Sequence, residues 1–117
     1  MTDMTSESVS RILRTVPREE AFYFFTSIGN YVGVSASSLR EFSERVRDVN
    51  RKSLEFHLYR GDFEKWIAEV LHDNELARAV RRLQDSALAG DALRSQLGVI
   101  VARRFKQLIA QRDLGKP

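Results

Sequence analysis

The stretch Pro17-Arg18-Glu19-Glu20-Ala21-Phe22-Tyr23-Phe24-Phe25-Thr26-Ser27-Ile28-Gly29-Asn30-Tyr31-Val32-Gly33-Val34 decides the fold class. It supports two readings. Proline at a first helical position, with acids in the first turn, is a helix start. Phe22, Phe25 and Ile28 then fall at helical spacing. Yet Ala21 to Thr26 also has strong strand propensity, and Gly29-Asn30 before Tyr31 can turn a hairpin. The helix is the reading adopted, with Gly29 and Gly33 loosening the chain into a loop behind it. A small β-hairpin over 21–35 is the alternative.

On both sides of this stretch the period is helical. Upstream, Val9, Ile12, Leu13 and Val16 form one stripe and predict a short helix over 7–15. Downstream, Ser38-Leu39-Arg40-Glu41 has the capping-box pattern, and Leu39, Phe42, Val46 and Val49 share one face. Ser53 is placed to cap a helix through Tyr59, and Gly61 to stop it in the left-handed conformation. Asp62 is placed to cap the next helix, with Phe63, Trp66, Ile67, Val70 and Leu71 as its core face. Asp73 or Asn74 restarts the chain into 75–88, with Leu76, Val80, Leu83 and Ala87 inward. Gly90 breaks the pattern, and Asp91 is placed to cap a long helix to about Arg112 with Leu93, Leu97, Ile100, Val101, Phe105 and Leu108 as its stripe. The expected fold is all-α, a compact bundle of five to six short helices. It forms one domain over 1–117, with flexible ends at 1–6 and 113–117.

Composition narrows the function classes. A chain of 117 residues, 43% of them hydrophobic, builds one core. No cysteine is present, which excludes disulfides and thiolate metal sites. The first eight residues lack the basic start and apolar run of a secretory signal. No apolar run approaches the roughly 20 residues that span a bilayer. A cytoplasmic protein away from membranes is expected. Net charge is only +3, but residues 78–112 carry 8 basic and 2 acidic groups. A basic C-terminal face is therefore expected. Fifteen of the 19 basic residues are arginine, which raises the isoelectric point without implying a nucleic-acid partner.

Enzyme signatures are missing. There is no phosphate-binding glycine loop, no Gly-x-Ser-x-Gly elbow and no cysteine nucleophile. Glu69-Val70-Leu71-His72 has the Glu-x-x-His spacing of di-iron bundles, but such sites need two copies and further glutamates. A surface histidine near a helix end explains His72 better. No metal or other cofactor is expected. Arg60-Gly61-Asp62 matches the integrin-binding tripeptide, although a helix stop followed by a cap accounts for it better.

Two constellations remain. Ser53 to Ile67 packs a histidine, an arginine, acids and the only tryptophan between apolar stretches. Glu55, His57, Arg60 and Asp62 form a candidate polar cluster there. His57 reads either as a bridge between helices or as a base in a small pocket. Arg104 falls inside the apolar stripe of the last helix and, if buried, needs a partner. Asp62, Glu55 and Glu64 are the candidates, which would add Arg104 to the cluster; snorkelling of its stem is the alternative. The second constellation is a candidate basic face of Arg78, Arg81, Arg82, Arg103 and Lys106, able to meet phosphates but without interleaved aromatics.

Phe22 to Tyr31, Ser38-Leu39 with Glu41-Phe42, Ser53 to His57, Arg60-Gly61-Asp62-Phe63, Trp66-Ile67, and Asp73 with Leu76-Ala77 together resemble the prokaryotic domain of unknown function 5752. The likeness spans roughly residues 20–110. It implies that the central segment acts as a unit, and it implies no reaction, cofactor or catalytic residue. The expected function is that of a non-enzymatic protein-interaction or regulatory module. Its partner is another protein or a second copy in a homodimer, with an exposed patch from Tyr23, Tyr31 or Val99. A nucleic-acid binder using the basic face and a small-ligand or enzymatic pocket at His57 and Arg60 are the alternatives.

Overall fold

A computed structural model describes residues 5–114. Helix α1 spans Ser6–Leu13. The hairpin strands are β1 (Phe22–Phe25) and β2 (Tyr31–Ala36). Then come α2 (Leu39–Asp48), α3 (Arg51–Arg60), α4 (Asp62–Trp66), a π-helical turn (Ile67–Leu71), α5 (Asn74–Gln84) and α6 (Gly90–Leu114). The described residues thus form six helices and one two-stranded antiparallel hairpin, a mostly helical fold. The expected flexible ends lie largely outside the described residues. Thr5, however, caps α1 by accepting from the Ser8 amide, and Asp113 and Leu114 belong to α6.

The helix expected after Pro17 is only a single 3-10 turn, Arg18–Glu20. Beyond it the hairpin forms instead, and alternation is the reason. A helix through 22–28 would leave Phe24 off the face shared by Phe22 and Phe25. In β1, Phe22 and Phe24 point into the core while Tyr23 and Phe25 stay half-buried on the other face. Phe24 lies 6.0 Å from Phe42 and 6.1 Å from Phe63, centroid to centroid. Tyr23 and Phe25 pack on Tyr31 across the sheet at 5.9 and 5.5 Å. The Thr26 amide donates to the Asn30 carbonyl at 3.1 Å, and Gly29 supplies the positive φ (81°) that the tip requires. The register passes from Tyr23↔Ser35 to Phe25↔Tyr31 with an irregularity between them.

Caps hold several helices near the expected bounds, with shifts. Ser38 Oγ accepts from the Glu41 amide at 3.2 Å. Glu41 reaches back to the Ser37 amide at 2.7 Å, one residue before the cap. Asn50, not Ser53, caps α3, and Ser53 is fully buried within its first turns. Gly61 (φ 81°) ends α3, and α4 starts at once with Asp62 in its first turn rather than as its cap. The π-turn follows because one extra residue is accommodated before α5. Asp73 donates its amide to Ile67 O at 3.1 Å, and the Arg14 guanidinium donates to the Val70 carbonyl at 2.7 Å. α5 ends at Gln84, so Ala87, expected inward, is exposed with φ 58°.

Helix α6 is the spine. Its buried residues are Leu93, Leu97, Val101, Arg104 and Leu108, and it packs against α1, α2, α3 and α5. Phe42 is the junction of the core. Its ring lies 5.9 Å from Phe22, 5.1 Å from Phe63 and 5.4 Å from Trp66, joining hairpin to helices. Trp66 Nε1 donates to the Glu20 carbonyl at 2.7 Å and holds the approach to β1.

Candidate functional site

His57 sits on the last turns of α3, buried among Phe22, Phe24, Phe56 and Phe63 at 4.8 to 6.1 Å between ring centres. The left-handed turn at Gly61 folds the chain back, so Asp62 at the start of α4 meets the histidine five residues before it. Nδ1–H donates to Asp62 Oδ2 at 2.8 Å, and Nε2 accepts from the Phe25 amide at 2.8 Å. These partners define the neutral tautomer with its proton on Nδ1. Arg60 Nε lies 3.4 Å from Asp62 Oδ2, and the guanidinium stands 4.7 Å over the Phe56 ring. Burial lowers the His57 pKa below 6.5, the hydrogen bond and charge of Asp62 oppose that shift, and Arg60 adds to it.

A general base needs a lone pair facing its substrate. The only lone pair in the His57 ring plane is engaged by the Phe25 amide. The histidine is therefore a tie between α3, α4 and the hairpin, at the point where the β-ladder is irregular. Protonation would place an N–H against the Phe25 N–H. Below pH about 6.5 the unfolded chain binds a proton that the folded chain resists. His57 thus costs no stability above that pH, and stability falls as pH drops through and below it. His57→Gln is expected to remove this component. Wild-type minus variant unfolding free energy should rise with pH up to about 6.5 and run flat above about 7.5. Parallel curves for the two proteins through that range would contradict the assignment.

The five residues expected to cluster lie in three separate places. His57, Arg60 and Asp62 come together. Glu55 turns away and accepts from the Gly90 amide at 2.7 Å, at the start of α6. Arg104 pairs with none of its expected partners. Its Nε and Nη2 donate to Asp73 Oδ2 and Oδ1 at 2.8 and 3.0 Å, and Nη1 donates to Glu75 at 3.1 Å. The sequence marks Asp73 or Asn74 only as the restart of the chain into α5; Asp73 is the cap of that helix, its Oδ1 accepting from the Leu76 amide at 3.2 Å. One carboxylate serves both tasks. The 31-residue separation of the pair leaves no local signal.

Two concave surfaces stand out. Phe22, Tyr23, Phe25, Ile28, Phe56 and Arg60 line an apolar cavity of about 340 Å³ beside His57. At its rim, on the hairpin tip, Ile28 is 85% exposed, and neighbouring Tyr31 is 46% exposed. Ile28 carried no sequence signal for this role, because the helical reading placed it in the core. The second surface is a groove of about 380 Å³ between α5 and α6, whose lining includes Arg82 and Arg103. Of the five residues in the basic face, Arg81 is turned aside to Glu64 at 3.3 Å. Arg78, Arg82, Arg103 and Lys106 are exposed and have no ion pair among the described residues. Among the described residues no group of three or more histidines and carboxylates is placed to hold a metal ion. No helix among them is long and apolar enough to cross a membrane.

The fold and these sites describe a small helical domain with a hairpin-flanked groove. The chain belongs to the family of unknown function DUF5752, whose model matches residues 18–114. No curated protein and no solved structure matches it.

Proposed function

We propose that this chain is a non-enzymatic protein-interaction module that holds an apolar side chain of a partner in the groove beside the hairpin. The carrying observation is Ile28, almost wholly exposed at the rim of an aromatic-lined cavity. The shape fits one anchor residue and a rim rather than a whole substrate, since about 340 Å³ lies at the low end of small-molecule pockets. The engagement of both His57 nitrogens supports the non-enzymatic reading. The setting proposed is a prokaryotic cytoplasm, and a second copy of the chain, forming a homodimer, is one partner that the groove would admit.

Panning a random peptide display library against the chain tests this. Enriched peptides should carry an aromatic or branched apolar residue, and Ile28→Asp should weaken them about tenfold or more while leaving the unfolding midpoint unchanged. Peptides indifferent to both Ile28→Asp and Phe56→Ala would sink the proposal. Sedimentation of the chain alone tells self-association from capture of another protein. Nucleic-acid binding is a second reading, supported by the four unpaired cations of α5 and α6.

A further inference from the structure

The α5–α6 groove combines two chemistries. Leu76, Ala79, Leu83 and Ile100 form its floor, with Arg82 on one side and Arg103 on the other. Arg78 precedes Arg82 by one helical turn on α5, and Lys106 follows Arg103 by nearly one on α6; neither lines the groove, and each adds positive charge beside the arginine that does. Arg104 at one end adds no positive charge, because Asp73 and the groove-lining Glu75 both pair with it and leave that end net negative, so the attraction for an anion lies at Arg82 and Arg103. None of the four cations Arg78, Arg82, Arg103 and Lys106 has an ion pair among the described residues, and Val99, one turn before Arg103, is exposed.

We infer that this groove binds an acidic amphipathic helix of a protein partner. The partner would lay apolar residues on Ala79, Leu83 and Ile100 and carboxylates along both rims. Each feature is needed for that choice. Unpaired cations on facing helices attract an anion. An apolar floor between them is wasted on a phosphate chain and matched by the apolar stripe of a helix. The groove residues include no aromatic ring on which a base could stack. The surface is distinct from the hairpin cavity and does not depend on it.

The test uses a fluorescein-labelled helical peptide with leucines on one face and glutamates along both edges of that face. Matched peptides carry glutamine or lysine in place of glutamate, and a duplex of about 20 base pairs serves as competitor. Binding of the glutamate peptide is expected at about 50 mM salt, with a several-fold loss at 200 mM and about tenfold weaker binding of the glutamine peptide. In the double variant R82E/R103E the preference should invert, with the lysine peptide bound and the glutamate peptide lost. Both arginines are exposed and unpaired, so the variant should keep the wild-type unfolding midpoint, and Ile28→Asp should leave peptide binding intact. The inference is overturned if the glutamate peptide fails to bind at low salt, if R82E/R103E still binds it, or if the duplex displaces it at equal or lower concentration. The last result would give the surface to nucleic acid.

Discussion

Arg104→Ala is expected to lower unfolding free energy by about 3–5 kcal/mol, a large share of the stability of a domain this size. The cause is not lost attraction alone. The variant leaves Asp73, whose side chain is 1% exposed, buried without its two charge-assisted hydrogen bonds. Water entering from the groove that Arg104 lines would replace hydrogen bonds but not the positive charge, so the buried carboxylate is left uncompensated. Asp73 is also the cap of α5, so the strain falls on the start of that helix. Removing both charges should cost less than removing one. Arg104→Met with Asp73→Asn keeps a capping oxygen and an apolar stem, and should recover much of the loss. Urea titration of the three proteins checks this. A cost below about 1 kcal/mol for Arg104→Ala would show that Asp73 finds another partner.

Phe42→Ala is expected to cost a similar 3–5 kcal/mol, through a cavity at the centre of the core. Its neighbours cannot collapse freely. Phe22 and Phe24 are held by the β-ladder, Phe63 by α4, and Trp66 by its hydrogen bond to Glu20. The hairpin should loosen first, because Phe42 is one of few rings joining it to the helices. The Phe25 amide should then exchange faster with solvent than amides of α6, and Trp66 emission should shift to the red. Uniform loss of protection across the chain would argue instead that hairpin and helices unfold as one unit.

Much of the fold was legible locally. The stripes of α1, α2 and α6, the capping box at Ser38, and Gly61 as a left-handed stop all follow from side chains within a turn or two of each other. The misplaced charge at Arg104 was legible for the same reason: it breaks the period of its own helix. Other boundaries were not. Asn50 took the cap expected of Ser53, since Ser53 is drawn into the core one turn further along. The π-turn at Ile67–Leu71 has no sequence signal, because it answers a demand of packing and is secured from α1 by Arg14.

What the sequence determined by itself is the helical frame, the break at Gly61 and the presence of one arginine needing a buried partner. Only the tertiary structure decided between helix and hairpin over 21–35. The local preferences there nearly balance, and the balance is tipped by contacts far along the chain: Phe24 against Phe42 and Phe63, and the Phe25 amide on His57. Tertiary structure also decided that Arg104 meets Asp73, and that Arg82 and Arg103 face one groove. Periodicity and capping act within a few residues, whereas the partner of a buried charge and the shape of a groove are set when separate helices pack.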